Sequence, residues 1–184
     1  MSLVELIAQA DERGLAASGL ACLDRCVPLL GGDDEILRPL WASLGDGACA
    51  GEWGERLEQA RGKLDAAGPG DEAALLAHRM LEAAPAERSA AGVRVWADAC
   101  SVASLQIHRL LDTAADEASS VASPREGRTE GMSPLVAAEL RRQITVLEVL
   151  AGHGPAGLRR ALEVSVEGRR VLRAVVSRRS RRQR

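Results

Sequence analysis

With 184 residues, 46 % of them apolar, the chain is long enough to bury one substantial core and too hydrophobic to remain disordered. It has no Phe or Tyr, and Trp41, Trp53 and Trp96 are its only aromatics, which leaves little from which to build stacking platforms for single-stranded nucleic acid or aromatic cages for cations. The net charge of −2 is the remainder of two opposed regions: residues 1–154 carry −10, whereas residues 155–184 carry +8 from ten Arg and two Glu.

The apolar residues are of a helical kind. Ala (32) and Leu (25) outnumber Val (14) and Ile (4), so strand-formers are scarce and the expected fold is an all-α, single-domain bundle of about seven or eight helices. The 23 Arg against one Lys, and the absence of Asn, are what codon choice in a GC-rich genome produces, so Arg richness by itself carries little weight.

Ser2 with Glu5 fits a capping box, and Leu3, Leu6, Ile7 and Ala10 recur at helical spacing. This predicts a helix over 3–17 and a second over 19–30, with Pro28 shortening the second and Gly31-Gly32 ending it. Asp33-Asp34-Glu35 is expected to cap a third helix to about 44, with Pro39 early in it. After a loop over 45–51, a fourth helix is expected over 52–67, with Trp53, Leu57, Ala60 and Leu64 on one face.

Gly68-Pro69-Gly70 stops the fourth helix, and Asp71-Glu72 opens a fifth, to about 84. Pro85 then fits the first turn of a long sixth helix over 86–118, whose stripe runs Val93, Ala97, Cys100, Ser104, Ile107, Leu111, Ala114. Residues 119–133 read as a long, mobile loop. A seventh helix follows over 134–152, with Val136, Leu140, Leu147 and Leu150 inward, and a last one begins near 156. The expected organisation is one helical domain over 1–176, with sub-layers 1–68 and 71–176, and a basic tail over 177–184.

On a helical wheel, Leu158, Ala161, Leu162, Val164, Ser165, Val171, Leu172, Val175 and Val176 share about half the circumference of the last helix. Arg159, Arg160, Arg170 and Arg173 lie mostly opposite, and Gly168 interrupts the apolar face. Arg178, Arg179, Arg181, Arg182 and Arg184 follow as an anion- or partner-binding candidate, against the plainer reading of a frayed, solvated end.

Catalytic motifs are missing: no zinc-protease HExxH, no GxSxG elbow and no phosphate-binding glycine loop. His108, Asp112 and Asp116, at i, i+4 and i+8, line one helix face at a spacing a metal can use. A core-edge histidine beside solvated acids explains the same spacing, and His78 with Glu82 repeats it. Cys22 and Cys26, also four apart, fit small core residues better than ligands. The first residues lack a basic signal-peptide region, and no apolar run reaches the roughly 18–20 residues that span a bilayer, so a cytoplasmic setting is expected.

The expectation that follows is a non-catalytic helical protein-interaction or regulatory module, without a cofactor. It would use an apolar helical groove or a self-pairing face, which makes a homodimer a natural arrangement. One alternative is an accessory, sequence-independent nucleic-acid or polyanion binder using the five terminal arginines. Another is a small helical enzyme or ligand carrier in which His108 or His78 faces an enclosed central pocket.

Overall fold

The computed structural model describes residues 1–49, 51–64, 70–113 and 120–184, which are helical and contain no strand. The helices are α1 (Leu3–Gln9), α2 (Glu12–Arg25), α3 (Arg38–Ala42), α4 (Glu52–Leu64), α5 (Glu72–Ala83), α6 (Ala90–Leu111), α7 (Ala122–Arg125), α8 (Pro134–His153) and α9 (Leu158–Arg182). Short 3-10 turns occupy Val27–Leu29 and Gly154–Gly157. The fold is therefore all-α, with short helices first and the longest ones later, as composition and periodicity lead one to expect.

The bundle is built around α2. Every residue from Gly14 to Arg25 is buried, and α6, α8 and α9 pack around this helix, with α3 and α5 at its margins. Ala16, Ala17, Ser18, Gly19, Ala21 and Cys22 are small enough to let neighbours approach on several sides. At Gly19 the Trp96 ring lies so close that a Cβ would stand 2.6 Å from it.

The first two helices divide differently from the sequence expectation of 3–17 and 19–30. Asp11 accepts a hydrogen bond from Gly14 N at 2.7 Å, and Ala10 and Asp11 are both extended, so the break falls there. An aspartate cap outweighs unbroken periodicity. Ser18, left between the two expected helices, instead lies inside α2. Asp33 makes a tight turn with Glu35 N (2.8 Å) rather than capping a helix, and α3 begins only at Arg38.

The long sixth helix starts at Ala90 rather than 86, because Ser89 accepts from Gly92 N at 3.0 Å and so provides the cap. Val93, Ala97, Cys100, Ser104, Ile107 and Leu111 are all buried as the stripe requires, while Ala114 lies outside the described residues. Within the expected 119–133 loop, residues Ala122–Arg125 form α7. On α8 the inward Val136, Leu140, Leu147 and Leu150 are buried, and the helix ends at Gly154, whose φ of +53° suits a residue without a side chain.

Two arginines close helix ends. Arg94 on α6 donates to the carbonyls of Ile7, Ala8 and Ala10, clamping the C-terminal end of α1. Arg61 on α4 does the same for α5 through Leu81, Glu82 and Ala84. Each guanidinium meets unsatisfied carbonyls at the negative end of a helix dipole. All three indole N–H groups are likewise satisfied: Trp41 by Asp24, Trp53 by Pro85 O and Trp96 by Met80 O, at 2.8–2.9 Å.

Candidate functional site

Two places concentrate chemistry: a polar centre inside the bundle and a groove on its surface. The centre forms where α2, α6 and α8 meet. Arg25, the last residue of α2, grips Glu139 of α8 with two parallel hydrogen bonds, Nε to Oε2 at 2.8 Å and Nη2 to Oε1 at 2.7 Å. Ser104 Oγ and Gln143 Nε2 also donate to Glu139 Oε1, at 2.8 and 2.9 Å. Ser101 donates to Gln143 Oε1 at 2.6 Å and receives Arg125 Nε at 3.1 Å, which ties the network to α7. Helical spacing explains the assembly, since Ser101, Ser104 and His108 share one stripe of α6 and Glu139 and Gln143 share one of α8.

His108 completes the cluster. Its Nδ1 stands 2.6 Å from Ser104 O, which can only accept, so Nδ1 carries the proton. Its Nε2 is 3.5 Å from Glu139 Oε2. Burial alone would raise the Glu139 carboxyl, but Arg25, His108 and the donated hydrogen bonds override it and hold the group at about 2. Burial pushes His108 below its ordinary value, against the opposing pull of Glu139.

The centre is sealed. Arg25, Glu139 and His108 are at most 1 % exposed. Burial also pushes the Cys22 thiol up to about 12 and raises Cys26 and Cys100, so none of the three is a ready nucleophile. The arrangement holds charge and fixes side chains rather than offering groups to a substrate. In a thiol titration of the folded protein, Cys49, which is exposed, is expected to react promptly. Cys22, Cys26 and Cys100 are expected to wait for unfolding, and prompt reaction of more than one thiol would mean that the centre opens.

The His108 shift gives a pH dependence of known sign. Its folded value lies below the unfolded value of about 6.5, so the unfolded chain takes up the proton first and stability falls as pH drops below that point. Glu139, held low, adds stability above about 4.5 that is lost as pH falls towards 2. Asp24, raised by burial against the pull of Arg169 and Trp41, acts in the opposite sense. The His108 contribution is therefore read by difference. Urea unfolding of wild type and His108→Gln between pH 7.5 and 5 should show the wild type losing more stability, with an extra slope of up to about 1.4 kcal/mol per pH unit. Equal slopes would contradict a neutral buried imidazole.

The metal-spaced residues are drawn into separate tasks. His108 turns inward to Glu139. Asp112, at the end of α6, accepts Leu135 N at 2.9 Å and so caps α8, whose own Ser133 makes no side-chain cap. Asp116 lies outside the described residues. Among the described residues no group of three or more His, Cys, Asp or Glu is placed to hold a metal. On α5, His78 is half-buried and Glu82 exposed.

A second polar knot joins α2, α3 and α9. Asp24 accepts Trp41 Nε1 at 2.8 Å and pairs with the buried Arg169, while Arg173 pairs with Asp34. Arg169, absent from the sequence candidates, falls within the apolar arc of the wheel, between Val176 and Leu162, and that position is the signal of its burial. Gly168, which reads as an interruption of the apolar face, is what allows α9 to cross α2, since a Cβ there would lie 2.4 Å from Arg25 Cδ and 2.9 Å from Arg142 Cδ.

The surface groove lies between the C-terminal end of α6, the start of α8 and the second half of α9, with a volume of about 630 Å³. Leu110, Leu111, Leu135, Ala138, Val171 and Val175 give it an aliphatic floor, and Asp112, Thr113 and Pro134 complete the lining on that side. Arg178, Arg179 and Arg182 form a wall at one end. Because α9 continues through Ser177 to Arg182, positions 171, 175, 178 and 182 fall in one stripe. Arg179 also lies 3.3 Å from Asp71 of the α5 cap, Arg178 Nε donates to Ala174 O at 3.3 Å, and Asp112 places one carboxylate in the same lining. Arg181 and Arg184 are exposed and outside the groove, so the five terminal arginines divide into two sets.

No protein-family model, curated protein or solved structure matches the chain. Among the described residues no helix is long and apolar enough to cross a membrane.

Proposed function

We propose that the protein is a non-catalytic helical interaction module that presents the groove between α6, α8 and α9 to an anionic protein partner. The observation that carries this reading is the pairing of an aliphatic floor with an arginine wall on the surface, while the cluster that resembles catalytic chemistry is inaccessible. Apolar contact supplies binding energy, and the arginines select a partner by sign of charge.

A photo-crosslinking residue placed at Val175 in the full chain tests it in the cell, with exposed Glu55 as the control position. A discrete protein adduct from Val175, absent from the Glu55 control and lost on Arg178→Glu/Arg182→Glu, is the expected result.

Exposed Arg181 and Arg184 favour, as a second reading, a sequence-independent contact with nucleic acid. Anisotropy of a labelled duplex at about 50 and about 200 mM salt separates the two. Duplex binding that collapses with salt, together with no adduct at Val175, would move the assignment to nucleic acid.

A further inference from the structure

The groove has a direction, and that direction specifies its occupant. Val171 and Val175 lie towards the body of the bundle, Arg178 and Arg182 one and two turns further along α9, and the aliphatic floor runs up to the arginine wall without a polar side chain between them on this stripe. A ligand that fits must be apolar along one flank and carry its negative charge at one end. We infer that the groove takes an amphipathic helix of a partner protein whose first turn is acidic, lying antiparallel to α9. This rests on the groove being a protein-docking site.

Three features favour a helix of this kind. The guanidinium groups of Arg178, Arg179 and Arg182 outnumber the one carboxylate of the lining, Asp112, and match side-chain carboxylates in fork geometry. Acids in the first turn of the partner also complement its own dipole, and an antiparallel course sets its positive end against the C-terminal end of α9. Finally, Leu110, Leu135 and Val175 are half-buried and Val171 is 36 % exposed, so the floor is open to solvent. An acyl chain in such a groove would stay wet along one side, whereas an amphipathic helix turns its polar face outward.

The test uses the full chain and a labelled helical peptide of about 16 residues, with leucines at i, i+4 and i+7 and three glutamates in its first turn. A scrambled peptide of equal composition, a peptide with the glutamates moved to the last turn, oleate and a DNA duplex serve as the other probes. The inference expects saturable binding of the first peptide, weakened at least tenfold by Arg178→Gln/Arg182→Gln and at least tenfold by Val175→Asp. The scrambled and reversed peptides should bind at least tenfold more weakly. Because Arg178 and Arg182 are exposed, their glutamine variant leaves folding untouched and keeps the comparison valid even if Val175→Asp perturbs the bundle.

Equal binding of all three peptides, or no binding by any of them, overturns the inference. So does oleate or duplex binding that depends on Arg178 and Arg182 while the peptides fail. If the peptides fail while Val175 still yields its discrete adduct, the docking site stands and only the helical, acidic partner is wrong.

Discussion

Glu139→Ala is expected to cost about 3–5 kcal/mol of unfolding free energy, the largest loss from any single side chain in the centre. The reason is the asymmetry between a satisfied and an orphaned charge. Arg25 is fully buried, and Glu139 supplies two of its hydrogen bonds and its counter-charge. Removing the carboxylate leaves the guanidinium in an apolar setting and also strips an acceptor from Ser104 and Gln143. Against a typical total of about 5–15 kcal/mol, such a loss brings the protein near its unfolding threshold. Glu139→Gln keeps the shape but not the charge and should fall between. The double change Arg25→Met/Glu139→Leu removes both charges together and is expected to recover most of the loss, because the desolvation cost disappears with the attraction. Urea denaturation of the three variants measures this. If Glu139→Ala costs under about 1 kcal/mol, or the double variant is no better than the single, the centre is hydrated and the ion pair is not what holds it.

Most of the helices are legible because they follow from spacing and capping residues. Ser2 with Glu5, Asp71, and the Trp53/Leu57/Ala60/Leu64 face behave as local signals should. What spacing does not contain is the partner. The wheel separates Arg169, inside the apolar arc of α9, from Arg170 outside it, but nothing local names Asp24 as its partner or distinguishes Arg61 and Arg94, which close other helices, from solvated arginines. Glu139 is the sharpest instance. Three positions after Val136 and eleven before Leu150 it shares the inward face of α8, but spacing alone cannot say that its counter-charge is Arg25, 114 positions earlier in the chain. His108 and Asp112 show the converse. A spacing that metals use is divided between an inward histidine and a carboxylate that caps the next helix, and only the tertiary arrangement reveals the division.

The groove follows the same logic. Arg178, Arg179 and Arg182 are visible as charge in the sequence, but the floor beneath them comes from three helices and includes residues at the edges of their apolar stripes. An edge residue satisfies the core pattern whether it is covered or left half-open. The sequence therefore indicates the charged side of the groove, whereas the apolar side needs the fold. The buried centre and the groove differ in access: the centre fixes which faces of α2, α6 and α8 meet, and the groove lies open on the surface.

Gly19→Ala and Gly62→Ala are expected to change stability in opposite directions, although both place a methyl on a helix in which alanine is the better former. Alanine gains up to about 1 kcal/mol over glycine within a helix. At Gly62, exposed on α4, nothing lies within 4 Å of the added Cβ, so the gain should appear nearly whole, at about 0.5–1 kcal/mol. At Gly19 the same atom meets three carbons of the Trp96 ring at 2.6, 2.7 and 3.1 Å. That ring cannot turn aside cheaply: its Nε1 donates to Met80 O at 2.9 Å, and its face is set by an edge contact with Trp53 at 5.9 Å between centroids. Overpacking of this kind costs about 1–3 kcal/mol or somewhat more, which exceeds the helical gain, so Gly19→Ala should be net destabilising. Gly19→Val adds two further methyl groups and forfeits the propensity gain, and is expected to lose about 3 kcal/mol or more. Thermal unfolding with Trp fluorescence as the readout follows both the midpoint and the Trp96 environment. A stabilised Gly19→Ala would mean that α2 and α6 are separated more widely than the 2.6 Å contact requires, and the axial role of α2 in the bundle would have to be given up.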